Sequence, residues 1–96
     1  MVTVQSVIIS EVGLHARPAT LLVKSANGYR ASIQIRKAGQ PEAAANAKSI
    51  LEVLALGINK GDRIELVCDG EDELQAAAML KQMIDTDFAG FPGGRR

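Results

Sequence analysis

Two hydrophobic periods alternate along the chain. From Val2 to Ile9, β-branched residues predict a strand with Val2, Val4 and either Val7 or Ile9 turned inward. Ser10 to Leu14 reads as a loop, and from Ala16 to Asn27 the apolar residues Ala19, Leu22, Val23 and Ala26 recur at helical spacing, with Asn27 and Gly28 as the stop. Alternation returns at Ala31, Ile33 and Ile35. A turn over Lys37 to Glu42, with Gly39 and Pro41, leads into an Ala-rich third strand toward Asn46. Ala47 to Leu56 carries Ile50, Leu51, Leu54 and Ala55 at spacings of a short helix closed by Gly57. Asp62 to Asp69 is the last strand, with Ile64, Leu66 and Cys68 on one face and Arg63, Glu65 and Val67 on the other. Gly70 ends it, and Glu71, Asp72 and Glu73 complement the first turn of a helix reaching about Ile84.

The order strand, helix, strand, strand, helix, strand, helix predicts an α+β layer pair: an antiparallel or mixed sheet with helices on one face. Leu22, Val23, Leu74, Ala78 and Leu80 are assigned to the core. Thr86 to Arg96, with Gly90, Pro92, Gly93 and Gly94, reads as mobile. Residues 1–88 are expected to form one domain, with 89–96 as a flexible C-terminal tail.

Composition narrows the function. At 96 residues and 47% apolar content there is room for one modest core and no second domain. Lys plus Arg and Asp plus Glu each total 11, so no net field draws the chain to nucleic acid or to an anionic membrane. Three aromatics, Tyr29, Phe88 and Phe91, are too few for base-stacking platforms. The apolar runs are far shorter than the roughly 20 residues of a membrane span, and no basic region followed by an apolar core opens the chain, so a cytoplasmic location is expected. One His and one Cys leave no set of four zinc ligands, and Cys68, inside an apolar strand, is expected to be a buried, inert thiol.

The informative stretch is Gly13, Leu14, His15, Ala16, Arg17, Pro18, Ala19 and Thr20. A well-capped helix would begin on Ser, Thr, Asp or Asn, an advantage of about 1 kcal/mol over alanine. Here His15 and Ala16 stand instead, and Leu14 can at best staple the turn to the helix. Uncapped N–H groups at a helix start carry partial positive charge and attract anions. Arg17 adds a planar fork suited to phosphate oxygens, and Pro18 stiffens the first turn without forfeiting a hydrogen bond. Beside this charge a neutral imidazole is favoured, and a neutral ring can attack phosphorus, with the backbone of Ala16 and Arg17 and the Arg17 side chain holding the product's charge. From the residues alone, an ordinary polar loop histidine beside a solvated arginine remains an equal reading. No GxxxxGK[ST] loop is present, so a phosphoryl donor would come from another protein.

The octet Gly13 to Thr20 resembles the active-site signature of HPr, the histidine-containing phosphocarrier of the bacterial sugar phosphotransferase system. A second block, Asn46-Ala47-Lys48-Ser49-Ile50 with Leu54-Ala55-Leu56-Gly57 and Lys60-Gly61, resembles that family's regulatory-serine helix, and the element order agrees over about residues 2 to 85. The resemblance implies an HPr-like open-faced β-sandwich (βαββαβα), a four-stranded antiparallel sheet in order 1-4-2-3 with three helices on one face. It implies a carrier rather than an enzyme, monomeric and without cofactor, that takes phosphate on His15 from phosphorylated enzyme I and passes it to the enzyme IIA domains of sugar permeases. Ser49 matches the serine phosphorylated by a dedicated kinase in many Gram-positive members, which would add a serine kinase/phosphorylase and a transcriptional regulator as partners. Thr20, Ile50, Leu51 and Leu54 match partner-docking positions, and partial exposure of this short apolar helix is expected.

Two features depart from the pattern. Val12 stands where the family often has a small polar residue near the phosphate, and Gln40 to Ala45 lengthens the hairpin by about three residues, as in the nitrogen-related branch. The alternatives to sugar phosphotransfer are therefore a nitrogen-branch signalling phosphocarrier and a non-transferring adaptor acting through the Ser49 face.

Overall fold

The computed structural model describes residues 1–89, of which Ala16 is described by its backbone alone. Four strands, β1 (Val2–Val7), β2 (Ser32–Lys37), β3 (Ala44–Asn46) and β4 (Arg63–Asp69), form one sheet in the order β1-β4-β2-β3. Every pairing is antiparallel: Val4 lies opposite Leu66, Leu66 also opposite Ile35, and Ile35 opposite Ala45. Three helices, α1 (Ala16–Ala26), α2 (Ile50–Ala55) and α3 (Glu73–Asp85), complete the α+β architecture expected from the element order.

The buried side chains explain this arrangement. Ile33 and Ile35 on β2, and Ile64, Leu66 and Cys68 on β4, point to one face, where they meet Leu22 and Ala26 of α1, Val53 of α2 and Leu80, Met83 and Ile84 of α3. Burial pushes the Cys68 thiol up from its ordinary range, with the Glu73 and Asp72 carboxylates adding to the shift. The opposite face of the sheet is polar: Gln5 Nε2 and Arg36 Nε both donate to the Glu65 carboxylate, at 2.9 and 2.8 Å, tying three strands together.

Several expectations are corrected. The inward alternation of β1 continues through Ser6 and, just past the strand, Ile8, whereas Val7 and Ile9 are exposed. Ser6 can occupy a core-facing position because its hydroxyl donates to the Asp85 carboxylate of α3, which satisfies the buried polar group. Burial opposes the charge on Asp85, yet the Ser6 hydroxyl and the Lys81 ammonium, 2.9 Å away, outweigh it and hold its pKa below the usual carboxylate range. Leu74 is 68% exposed and Ala78 is also exposed, because α3 buries the stripe Ala76, Ala77, Leu80, Met83 and Ile84. Val23 is half-buried, packed against the edge of the core. The second helix begins at Ile50 rather than Ala47, since Ala47 donates its N–H to the Ile33 carbonyl and leaves Ser49 as the N-cap.

The segment after α3 is not loose at its start. Asp87 and Phe88 adopt positive φ, Phe88 N–H donates to the Met83 carbonyl at 2.7 Å, and the Phe88 ring is buried. The rest of the expected tail, residues 90–96, lies outside the described residues.

Candidate functional site

The site begins with the loop that delivers the chain from β1 to α1. A turn closed by Gly13 N–H on the Ser10 carbonyl (2.9 Å) brings Gly13 into a positive φ of 67°. Glycine is required here for two reasons. A side chain strains this backbone region, and a Cβ would lie 2.5 Å from the Ile58 carbonyl oxygen and 2.8 Å from the Asn59 Cα. Leu14, expected to act at most as a staple, is completely buried, and its N–H donates to that same Ile58 carbonyl at 3.0 Å. Two more backbone hydrogen bonds, Ile8 N–H to Asp62 O (3.0 Å) and Gly61 N–H to Ile8 O (2.7 Å), join the loop to the turn between α2 and β4. An exposed ion pair, Lys60 Nζ to Glu11 Oε1 at 2.8 Å, spans the two segments.

This anchoring presents His15 as the N-cap of α1, in extended conformation (φ −126°, ψ 167°) and half-buried. The His15 side chain makes no capping hydrogen bond, and no acidic residue stands in the first turn of the helix. The His15 carbonyl accepts the first helical hydrogen bond, from Ala19 N–H, at a long 3.5 Å. Helix geometry leaves the four N-terminal N–H groups without intrahelical acceptors, and Pro18 has none to offer. The donors of this terminus are therefore those of His15, Ala16 and Arg17. The Arg17 side chain is exposed and makes no ion pair among the described residues. A permanent cation and the positive end of an 11-residue helix thus adjoin the ring.

The remaining candidates lie on the neighbouring short helix. Ser49 is its N-cap, with Oγ accepting from Glu52 N–H at 3.4 Å, while Glu52 Oε1 accepts from Asn46 N–H at 3.0 Å. This is the local hydrogen-bonding use of a helix-start serine. Leu51 is 77% and Leu54 37% exposed, Ile50 is half-buried, and only Val53 of this helix is buried. Asn27, at the end of α1, donates from Nδ2 to the Val23 and Lys48 carbonyls, and Lys48 Nζ donates to the Tyr29 carbonyl at 2.7 Å. These bonds fix the start of α2 against the end of α1. Thr20 is on an exposed position of α1, and Val12, 57% exposed, is an apolar residue on the His15 loop.

No group of three or more His, Cys, Asp and Glu side chains among the described residues could hold a metal ion. The carboxylates with lowered pKa values, Glu65, Asp72, Glu73 and Asp85, belong to the sheet, to α3 and to the N-cap of α3 rather than to this terminus. Asp72 shows their structural use: its two oxygens accept the N–H groups of Arg30 and Ala31, joining the start of α3 to the approach to β2.

Residues 2–86 match the family model described as the PTS HPr component phosphorylation site. The chain belongs to the HPr family. Solved members of that family resemble it throughout. It is 34% identical to HPr-C-His from Thermoanaerobacter tengcongensis, over 96% of this chain and 100% of that one, with a TM-score of 0.86. It is 40% identical to a histidine-containing phosphocarrier protein of Mycoplasma, covering 88% and 94% of the two chains (TM-score 0.78). With the phosphocarrier protein HPr from Bacillus anthracis the identity is 38%, over 85% of this chain and 96% of that one (TM-score 0.73). Membership makes this chain a phosphocarrier component of the phosphotransferase system rather than a catalyst. No helix among the described residues is long and apolar enough to cross a membrane.

One contributor lies outside the expectations set by the sequence: Gly13 enters there only as part of the octet, although its place between a strand and an uncapped helix marks a tight turn.

Proposed function

We propose that this chain accepts a phosphoryl group on His15 from phosphorylated enzyme I and passes it to the enzyme IIA domains of sugar permeases. The observation that carries the reading is the uncapped start of α1, where the only histidine is itself the N-cap and Arg17 stands two residues on. A ring nitrogen of His15 attacks the donor's phosphorus with its lone pair as the bond from phosphorus to the donor breaks and leaves its electron pair on the donor, and the new phosphohistidine charge faces the N–H groups of Ala16 and Arg17 and the Arg17 guanidinium. These groups stabilise the transferring phosphoryl without holding it permanently, which suits a carrier. All of them come from one segment of one copy, so a monomer suffices, and the cytoplasm is the compartment in which such partners would be met.

The exposed side chains of Leu51 and Leu54, with Ile50 and Thr20, form the surface proposed to dock these partners. Ser49 is proposed as a regulatory site at which a serine kinase would add roughly two negative charges beside that surface, opposing acidic partners and creating a signal for a transcriptional regulator.

Incubation of the purified chain with labelled phosphoenolpyruvate and enzyme I of the sugar or of the nitrogen branch tests the reading. Label should appear with the sugar-type donor, be lost in His15→Ala, and pass on to enzyme IIA. Label with the nitrogen-type donor only would assign the chain to that branch. Undiminished uptake by His15→Ala would exclude His15 as the acceptor and leave an adaptor acting through Ser49.

A further inference from the structure

We infer that Asp62 is a positioning residue for His15, acting through the peptide unit between Ile58 and Asn59. That unit is held at both ends. Its carbonyl accepts the Leu14 N–H at 3.0 Å, and its N–H donates to Asp62 Oδ2 at 2.8 Å. A peptide group is planar and rigid, with its C=O and N–H directed oppositely, so a rotation that releases one bond misaligns the other. The same carbonyl is the surface against which Gly13 packs, close enough that any Cβ at that position would collide with it. The orientation of one peptide plane therefore sets the place of both residues that precede His15.

The surroundings leave Asp62 as the adjustable part of this clamp. Its N–H donates to the Asn59 carbonyl at 3.0 Å and closes a turn through Gly61, at φ +92°, while its own carbonyl accepts from Ile8. These backbone bonds survive a side-chain change. The carboxylate, by contrast, is the acceptor of Asn59 N–H among the described residues, and Lys37 Nζ lies 3.7 Å from the same oxygen. Removing the carboxylate leaves an exposed N–H that water can satisfy, so the chain keeps its fold and loses the fixed direction of the Ile58 carbonyl. Leu14 then holds His15 less firmly against the α1 N–H groups. Asp62 touches no reacting atom, so its effect belongs to the geometry of the nucleophile.

The kinetic part of this inference rests on the phosphocarrier reading, whereas its structural part does not. Asp62→Ala and Asp62→Asn are compared by amide hydrogen exchange on the unphosphorylated chain and by phosphoryl uptake from phosphorylated enzyme I. In Asp62→Ala, exchange at Leu14 N–H should rise about tenfold, the order expected for loss of one hydrogen bond to a charged acceptor, with Ile35 and Leu66 in the sheet unchanged. The maximal uptake rate should fall about tenfold at unchanged KM, and Asp62→Asn, whose amide oxygen can still accept from Asn59, should recover most of both losses. Native-like protection of Leu14 in Asp62→Ala would overturn the inference. So would a rise in exchange shared equally by the sheet, a change in KM instead of maximal rate, or an asparagine variant as impaired as alanine. Should the native chain take no label at His15, the phosphocarrier reading fails, and the exchange at Leu14 still decides whether Asp62 holds the loop.

Discussion

Replacing Gly13 by alanine should be among the most costly single-methyl additions in this chain. Its φ of 67° lies where a Cβ meets backbone, a penalty of about 1–2 kcal/mol. The new carbon would also stand 2.5 Å from the Ile58 oxygen and 2.8 Å from the Asn59 Cα. Both are backbone atoms anchored by other hydrogen bonds, so relief requires moving one segment off the other, at about 1–3 kcal/mol. Such a shift lengthens the bond from Leu14 N–H to Ile58 O, worth about 0.5–1.5 kcal/mol. The expected destabilisation is about 2.5–6.5 kcal/mol, a large share of the roughly 5–15 kcal/mol that holds a small domain together. Urea unfolding should show the midpoint falling by about 1 M or more at unchanged slope, and thermal unfolding a midpoint lower by at least about 10 °C. Gly39→Ala is the matched control, since that glycine has φ +83° but open space around its missing Cβ, and about 1–2 kcal/mol should be lost there. Equal losses at the two glycines would refute the close packing of the His15 loop on the turn before β4.

Leu51→Asp, at a 77% exposed position, should leave the unfolding midpoint within experimental scatter while raising the KM for phosphorylated enzyme I about tenfold in steady-state transfer; a fall in stability instead would place Leu51 in the core. The carboxylates of Glu65, Asp72, Glu73 and Asp85 are held below their ordinary values of 4.5 and 3.8. The unfolded chain therefore binds more protons in acid, so their contribution is complete above those values and is lost as pH falls through the folded-state pKa values. Urea midpoints measured from pH 6 down to pH 2 should decline, and Asp85→Asn should flatten that decline; a midpoint rising in acid would contradict the assignment. Cys68, buried beneath α3 and with its thiol pushed up by burial, should react with an aromatic disulfide reagent only at the rate at which the native chain opens, and rapid stoichiometric labelling would show the thiol to be accessible.

What the amino-acid order determined alone is whatever acts within a turn of helix or a few residues of strand. The period of two placed Ile33, Ile35, Ile64, Leu66 and Cys68 on a common face, and the period of 3.6 placed Ala19, Leu22 and Ala26 on theirs. The missing cap at His15, the cation at Arg17 and the proline in the first turn could likewise be read in sequence, because capping depends on residues directly adjoining the helix start. Tertiary structure decided whatever joins distant segments. Ser6 became an inward residue only because Asp85, 79 positions away, accepts its hydroxyl, and an alternation rule that expects apolar inward positions chose Val7 or Ile9 instead. Leu74 and Ala78 fell outside the buried stripe because the rotation of α3 is set by the sheet beneath it, which the helix's own apolar residues do not specify. The firmness of the His15 loop arises from the peptide unit between Ile58 and Asn59, whose two ends reach partners on opposite sides. Hydrogen bonds are directional and short, so their partners are known only once the chain has brought them within about 3 Å.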